Sequence, residues 1–150
     1  MDSVDLKMLE LLQKNARMTI SELSTELALS RPSITERLHR LQEKGVIEEF
    51  TARVSLPSVG RDILLIIQVS NLKVSPQEFE ELIKKDEAII ECHRVTGEGS
   101  YFLKAAVSKM DSMRLLIDRL IPYANVNTST VLNSPVPFRH VLPLDHTDQM

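Results

Sequence analysis

The chain has 150 residues, of which 43% are hydrophobic, and it carries a net charge of −3 at pH 7. This length and apolar content suit a folded protein with one sizeable core or two small ones, and they exclude disorder as the default state. The polar N-terminus does not resemble a signal peptide, and the longest apolar run, Ile63 to Ile67, is too short to span a bilayer, so we expect a cytoplasmic protein. The single cysteine, Cys92, excludes an internal disulfide framework and a cysteine-rich zinc site.

Basic charge is not concentrated in either half of the chain. Residues 1–55 hold eight Lys/Arg and nine Asp/Glu, and residues 56–150 hold ten and twelve. This balance argues against a generally basic, nonspecific nucleic-acid binder, so any DNA binding has to come from local placement of charge. Residues 31–44 provide such a local cluster, with four basic residues against two glutamates.

Three short helices are predicted in the first 45 residues. Apolar periodicity and capping residues place them from Asp2 or Ser3 to near Asn15, from Thr19 to Leu27, and from Ser30 to Gly45. The second begins with the capping box Thr19-Ile20-Ser21-Glu22, and the third has Ser30 as its N-cap and Gly45 as its stop. Because only two residues separate the second helix from Ser30, the pair is predicted to be a helix-turn-helix.

The third helix is predicted to have an apolar stripe and a polar, basic stripe. Ile34, Leu38 and Leu41 align as an apolar stripe. A polar, basic stripe is predicted on the opposite face, formed by Ser33, Arg37, Arg40 and Lys44. A solvated charged face would explain this stripe, and DNA contact is the alternative supported by the helix-turn-helix context.

If the helix reads DNA, its N-terminal half approaches the major groove. Arg37 and Arg40 would then contact guanine edges or phosphates, and Lys44 a phosphate. Glu36 would accept from a cytosine amino group or pair with Arg40. The predicted DNA-binding set is Ser30, Arg31, Ser33, Thr35, Glu36, Arg37, Arg40 and Lys44.

The chain is predicted to divide near residue 60. Val46 to Ser55 is rich in branched and aromatic residues and predicts a strand, which would serve as a wing or a linker strand. Leu56 to Gly60 contains a proline and a glycine and breaks regular structure. The predicted domains are therefore 1–60, with the helix-turn-helix and the linker strand, and 61–150.

The second domain predicts the element order β-α-β-β-α-β. Its elements are a strand at 63–69, a helix at 76–85, strands at 89–96 and 101–107, a helix at 111–121 and a strand at about 126–132. This order is the split, ferredoxin-like arrangement of an antiparallel sheet with both helices on one face, so the fold class is α+β. The tail after Ser134 contains three prolines and is expected to be extended or partly mobile.

The chain resembles the leucine-responsive regulator/AsnC family of transcription factors, also called feast/famine regulators. The resemblance rests on V-D-L-K-M-L-E-L-L-Q-K-N-A-R from Val4, S-x-x-x-I-x-x-R-L-x-x-L-x-x-x-G-V-I from Ser30, Gly60, and V-T-G-E-G-S-Y from Val95. It implies a winged helix-turn-helix that binds double-stranded DNA, followed by a ferredoxin-like (ACT-like) domain that binds a small effector, such as an amino acid. It also implies homodimers through the sheet domain, often assembled into octamers.

The resemblance places the effector site at the glycine-containing turn between the second and third strands of the sheet domain. Carried over to this chain, the site comprises Gly97, Glu98, Gly99, Ser100 and Tyr101. Ser100 stands where the family usually has an aspartate. A hairpin turn that needs positive φ would by itself explain Gly97 and Gly99, and bare turn amides holding a carboxylate are the functional alternative.

No catalytic, metal-binding or cofactor site is predicted. Cys92 and His93 are adjacent, but neighbouring side chains on a strand point to opposite faces, so a catalytic dyad is not expected. The four histidines lack a metal-ligand spacing. The alternative function is a tetrapyrrole-binding decarboxylase of the same architecture, similar to the sirohaem decarboxylases, for which only His93 and Arg94 are candidates by position. A stand-alone effector-sensing or oligomerisation module, whose N-terminal domain contacts protein, is a third option.

Overall fold

The structure is a computed structural model, and it describes residues 1–143. It falls into two units, a helical unit with Met1–Arg53 and residues 136–143, and a sheet unit with Val54–Pro135. The helical unit contains α1 (Ser3–Lys14), α2 (Ile20–Leu27) and α3 (Arg31–Glu43), which confirms the three predicted helices. Within residues 1–143, no helix is both long enough and apolar enough to cross a membrane.

The helical unit has a core of its own, and capping residues fix where its helices begin. One buried cluster joins the three helices through Met8, Leu9, Leu12, Leu23, Ile34 and Leu41. Asp2 caps α1 by accepting from the Asp5 amide at 2.9 Å, and Thr19 caps α2 by accepting from the Glu22 amide at 3.2 Å. These caps satisfy amides that have no partner inside the helix, so the local sequence determines the helix starts.

The strand predicted from Val46 to Ser55 is wrong, because this stretch forms no strand. Its branched and aromatic residues find no partner strand, and Phe50 and Val54 are exposed. β-propensity reflects how well a residue fits a paired, half-buried surface, so the same residues remain irregular where no second strand lies beside them. The helix-turn-helix therefore has no wing strand in this segment.

Residues 136–143 group with the helical unit, whereas the sequence analysis places them in the second domain. The carboxamide of Gln13 donates to the carbonyl of Val141 at 2.7 Å and accepts from the Val141 amide at 2.9 Å. The guanidinium of Arg53 lies 4.7 Å from the centre of the Phe138 ring, a cation–π contact. Residues 136–143 are thus held by specific contacts, and the remainder of the predicted tail, 144–150, lies outside the described residues.

The sheet unit begins with a 3₁₀ turn (Pro57–Val59) and shows the predicted β-α-β-β-α-β order. The strands are β1 (Ile63–Ser70), β2 (Ile89–Arg94), β3 (Tyr101–Val107) and β4 (Asn125–Thr130), and the helices are α4 (Pro76–Lys84) and α5 (Met110–Leu120). The strand order is β2-β3-β1-β4, and every neighbouring pair is antiparallel. This arrangement confirms the α+β, ferredoxin-like prediction for the sheet domain.

The two faces of the sheet differ in what covers them. Along β1, Leu65, Ile67 and Val69 are fully buried in one cluster with Phe79 of α4 and Leu116 of α5. Alternate residues point to the other face. There Ile66 and Phe102 remain 37% and 39% exposed. We call this second face, formed by Leu64, Ile66, Gln68, Phe102, Lys104 and Ala106, the open sheet face.

Candidate DNA-binding helix and effector turn

The turn between α2 and α3 is tight, and local hydrogen bonds define it. Ala28 adopts a left-handed conformation with φ 52°, and the Leu29 amide donates to the Ser24 carbonyl at 3.1 Å. The hydroxyl of Ser30 then accepts from the Ser33 amide at 3.4 Å and caps α3. Three residues thus end one helix and start the next, as a helix-turn-helix requires.

The predicted DNA-binding residues fall into two groups by exposure. The exposed residues are Ser30, Arg31, Thr35, Glu36 and Lys44. Ser33, Arg37 and Arg40 are half-buried. The basic stripe therefore lies beside the apolar stripe instead of opposite it, because Arg37 follows Ile34 by three residues, which leaves it about 60° away around the helix.

Arg37 and Arg40 are bound to carboxylates of α1. One terminal nitrogen of Arg37 donates to Asp2 and to Asp5, each at 2.7 Å, and Arg40 donates to Asp5 at 3.2 Å. The Arg37 side chain is 21% exposed and that of Asp5 is 3% exposed. These are charge-assisted hydrogen bonds in a partly desolvated place, where they are stronger than at the surface.

The ionisation of these groups follows from the same contacts. Burial acts to raise the pKa of Asp5, but the hydrogen bonds from the Arg37 guanidinium and the Asp2 amide outweigh it, so the pKa lies below its ordinary value. The pKa of Asp2 is lowered by the Asp5 amide and then by Arg37. The pKa of Arg37 is raised by its hydrogen bonds to both carboxylates. The folded helical unit therefore favours the ionised form of all three groups.

Acid should destabilise the helical unit through Asp5. Because the folded pKa is depressed, this contribution to stability is present above the ordinary value of 3.8 and is lost as the pH falls through the lower folded value. We expect the melting temperature of the helical unit to fall with pH below about 4, and to fall less steeply in Asp5→Asn. Circular dichroism melts from pH 2 to pH 7 would measure how the melting temperature changes with pH in the wild type and in Asp5→Asn. Equal slopes for the two proteins would contradict the role of Asp5 in the acid sensitivity.

The sequence prediction missed the role of Asp2 and Asp5. Asp5 stands three and four residues before Met8 and Leu9, at a position where the apolar pattern of α1 calls for a core residue. A carboxylate at such a position needs a cationic partner when it is buried. That signal predicts a buried ion pair, but it does not identify the arginine.

The outward face of α3 is formed by other residues. His39 is exposed, and its Nδ1 lies 3.3 Å from a carboxylate oxygen of Glu43. Thr35 and Glu36 are exposed one turn earlier, and the Thr35 hydroxyl donates to the Arg31 carbonyl at 3.0 Å. His39 was absent from the predicted DNA-binding set, although it follows Thr35 by four residues and so shares its face.

The predicted effector turn spans residues 95–100 and connects β2 to β3. Gly97 has φ 100°, a conformation that side chains rarely adopt. A Cβ on Gly99 would lie 3.2 Å from Nε2 of Gln68, so the turn passes close to β1. The Ser100 amide donates to the Val69 carbonyl at 2.7 Å, and the Ser100 carbonyl accepts from the Val95 amide at 3.1 Å. Glu98 is exposed at the tip.

Tyr101 differs from the rest of the predicted effector residues because it lies in the core. It is 1% exposed, and its hydroxyl donates to Oε1 of Glu80 at 2.6 Å. Its ring centre lies 5.1 Å from that of Phe79. Burial, followed by the hydrogen bond to Glu80, raises the pKa of Tyr101 to about 12. Tyr101 therefore anchors β3 to α4, next to the turn.

His93 and Arg94 do not converge on one cavity. His93 pairs with Phe102 and Arg94 with Tyr101 in the register of β2 with β3, so their side chains leave opposite faces of the sheet. His93 is exposed, and its Nε2 lies 3.5 Å from Glu91. His93 and Arg94 therefore do not form the convergent pair that the tetrapyrrole alternative needs.

Family models match both units. Residues 1–48 match a winged helix-turn-helix DNA-binding model, and residues 63–141 match the Lrp/AsnC ligand-binding domain. With the observed fold, these matches define a helix-turn-helix transcriptional regulator that carries a ligand-binding domain. The chain belongs to the Lrp/AsnC family.

Curated relatives and solved structures agree with this assignment. The chain is 33% identical to the HTH-type transcriptional regulator Ptr1 of Methanocaldococcus jannaschii, over 85% of this chain and 86% of that protein. It is 32% identical to the leucine-responsive regulatory protein of Escherichia coli K12, over 85% and 80%. A transcriptional regulator from Neisseria meningitidis, solved with L-methionine, superposes with a TM-score of 0.88 at 29% identity, covering 98% of this chain and 99% of that one.

Proposed function

We propose that this regulator binds operator DNA through the exposed side of α3 and that a free amino acid, bound at the turn 95–100, changes that binding. The observation that supports this proposal is that one chain joins a capped helix-turn-helix to a β-α-β-β-α-β unit with an exposed, glycine-containing turn. The relative with bound L-methionine supports an amino acid as the effector. Direct control of transcription and a cytoplasmic location are part of this proposal.

At the DNA, the exposed basic residues and the outward face of α3 have different roles. Arg31 and Lys44 lie near opposite ends of α3 and are exposed, which suits contacts to phosphates on either side of the groove. Thr35, Glu36 and His39 face outward between them, where they can reach base edges. Ser30 and Ser33 are placed at the start of the helix, where an amide or hydroxyl can bind a phosphate.

At the effector turn, backbone groups would bind the carboxylate of the amino acid. Turn amides and the Ser100 hydroxyl are suitable donors for an anion, and Glu98 carries a negative charge that suits the ammonium group. Gln68 lies against Gly99 and adds a carboxamide at the same place. Binding at this turn would be coupled to DNA affinity by about 1 to 3 kcal/mol, the usual size of such an effect.

A substitution at Gly97 tests the effector turn. We expect Gly97→Val to abolish binding of L-methionine in isothermal titration calorimetry, because a branched residue strains a backbone with φ 100° and displaces the turn amides. Gly60→Val is the matched control, since Gly60 also has positive φ, 77°, with open space around it, but stands at the start of the sheet unit. L-methionine heat that survives in Gly97→Val, or is equally lost in Gly60→Val, would contradict the site.

The active form is proposed to be a homodimer, with octamers as a larger assembly. The open sheet face supports this proposal, because Ile66 and Phe102 are apolar and partly exposed at its centre while the Lys104–Glu91 ion pair, 2.7 Å, lies towards β2. A dimer would place two copies of α3 about 34 Å apart, which matches successive major grooves on one side of DNA.

Selection of DNA from a random duplex library by the purified wild-type chain tests DNA recognition as a whole. We expect one partly palindromic sequence to be enriched and its affinity to change when L-methionine is added. Enrichment of no sequence would overturn the proposed function. The decarboxylase alternative is not favoured, since the relatives are named transcriptional regulators.

A further inference from the structure

We propose that Arg37 is a positioning residue, which orients α3 by binding Asp2 and Asp5 of α1, and that it does not contact DNA. This inference rests on the proposed DNA-binding function and refines it. It reverses the role that the sequence pattern suggests for the basic residue at the centre of α3.

The first step is the position of Asp5. Asp5 is 2% exposed, and within residues 1–143 it is the one charged residue that is buried. Its carboxylate accepts from Arg37 at 2.7 Å and from Arg40 at 3.2 Å. A buried carboxylate without these partners would be strongly unfavourable, so the two arginines are needed where they stand.

The second step is the position of Asp2. This residue caps α1, and its backbone amide donates to the Asp5 carboxylate at 3.2 Å in the same capping box. Because Arg37 also binds Asp2 at 2.7 Å, one guanidinium joins the first turn of α1 to the middle of α3. Sliding or rotating α3 against α1 would break both bonds at once, so this cluster fixes the orientation of α3.

The third step is competition for the guanidinium. The terminal nitrogen of Arg37 that faces α1 donates to both carboxylates at 2.7 Å, so a phosphate that bound this nitrogen would have to displace Asp2 or Asp5. The cluster is also close to electrically neutral, because two arginines face two aspartates. An arginine whose charge is neutralised by a carboxylate displaces few counterions from DNA. A basic residue that contacts a phosphate, by contrast, contributes about one to the slope of log affinity on log salt concentration.

The salt dependence of DNA affinity separates a positioning residue from a phosphate contact. The experiment uses the full chain and the duplex selected by the wild type, and it measures the dissociation constant from 50 to 300 mM KCl. We expect Arg37→Ala to weaken binding at least tenfold with an unchanged slope of log affinity on log salt. Arg31→Ala is the matched control, and it should reduce the slope by about one without lowering the melting temperature.

Three further variants keep the test decisive if Arg37→Ala unfolds. Arg37→Lys retains the positive charge but replaces the guanidinium with an ammonium of shorter reach, which would not place its nitrogen where Arg37 binds both carboxylates, so a positioning role predicts at least tenfold weaker binding. Asp5→Asn frees the arginines, and it should weaken binding and lower the melting temperature of the helical unit. The double variant Asp5→Asn/Arg37→Lys should bind no more weakly than the weaker single variant, since both remove the same cluster.

Several results would overturn this inference. They are a slope reduced by about one in Arg37→Ala, wild-type affinity in Arg37→Lys, or tighter DNA binding in Asp5→Asn. If the wild type enriches no duplex at all, the proposed DNA-binding function fails, and that failure is distinct from a wrong role for Arg37.

Discussion

Leu23→Ala is expected to lower the free energy of unfolding of the helical unit by about 3 kcal/mol and to abolish operator binding. Leu23 is fully buried at the centre of α2, and removing a buried leucine side chain usually costs about 2–5 kcal/mol. A unit of roughly 60 residues has little stability to lose, so this change brings it close to unfolding. The physical cause is the loss of packing in the core that joins α2 to α3, the helix proposed to recognise DNA.

Differential scanning calorimetry and DNA binding measure this prediction together. We expect the transition of the helical unit to move to lower temperature while that of the sheet unit stays in place. Leu103→Ala is the matched control, because Leu103 is 1% exposed in the other core and should produce the opposite pattern. Equal shifts of both transitions in Leu23→Ala would show that the two cores do not unfold independently.

Features set by neighbouring residues could be predicted from the sequence. The sequence predicts Ser30 as an N-cap from residue type and position, and its side chain accepts from the amide three residues later. The order of strands and helices followed from apolar patterns in the same way. Caps, turns and periodicity depend on a few consecutive residues, so a single sequence contains the information needed.

Features that depend on a partner from elsewhere in the chain could not be predicted. Val46 to Ser55 has the composition of a strand but lacks a neighbour to pair with. Arg37 has the appearance of a DNA-binding residue, but Asp2 and Asp5 lie more than 30 positions away and bind it only once α1 packs on α3. Distant ion pairs require the packing of the helices, which local patterns do not contain.

The proposed effector turn, residues 95–100, combines features that follow from neighbouring residues with features that depend on the rest of the fold. Its position was predictable, and Gly97 has the positive φ that was expected. The same expectation is wrong for Gly99, which does not have positive φ and where a Cβ would instead lie 3.2 Å from Nε2 of Gln68. The different environment of Tyr101 follows from the period of two along β3, which places it on the covered face and Phe102 on the open sheet face. The ring of Tyr101 therefore supports the turn from inside the core, and Ser100 and Glu98 are the side chains available to a ligand.

Ile66→Glu is expected to convert the proposed dimer to monomers and to weaken operator binding about a hundredfold. Ile66 lies on β1 at the open sheet face, opposite Lys104 in the register with β3, and it is 37% exposed. A glutamate there can be solvated in a monomer but would be buried without sufficient compensation in a face-to-face dimer. The fold of each chain is thus kept while the association is lost.

The loss of DNA affinity follows from the loss of bivalency. Two linked copies of α3 bind two half-sites with an avidity gain of about 10²–10⁴, and a monomer forfeits that gain. Sedimentation equilibrium and mobility shifts on the selected duplex measure the two effects. Leu132→Glu is the control, because Leu132 is 98% exposed outside the open sheet face and should leave both unchanged. An Ile66→Glu chain that remains dimeric at micromolar concentration would exclude the open sheet face as the dimer interface.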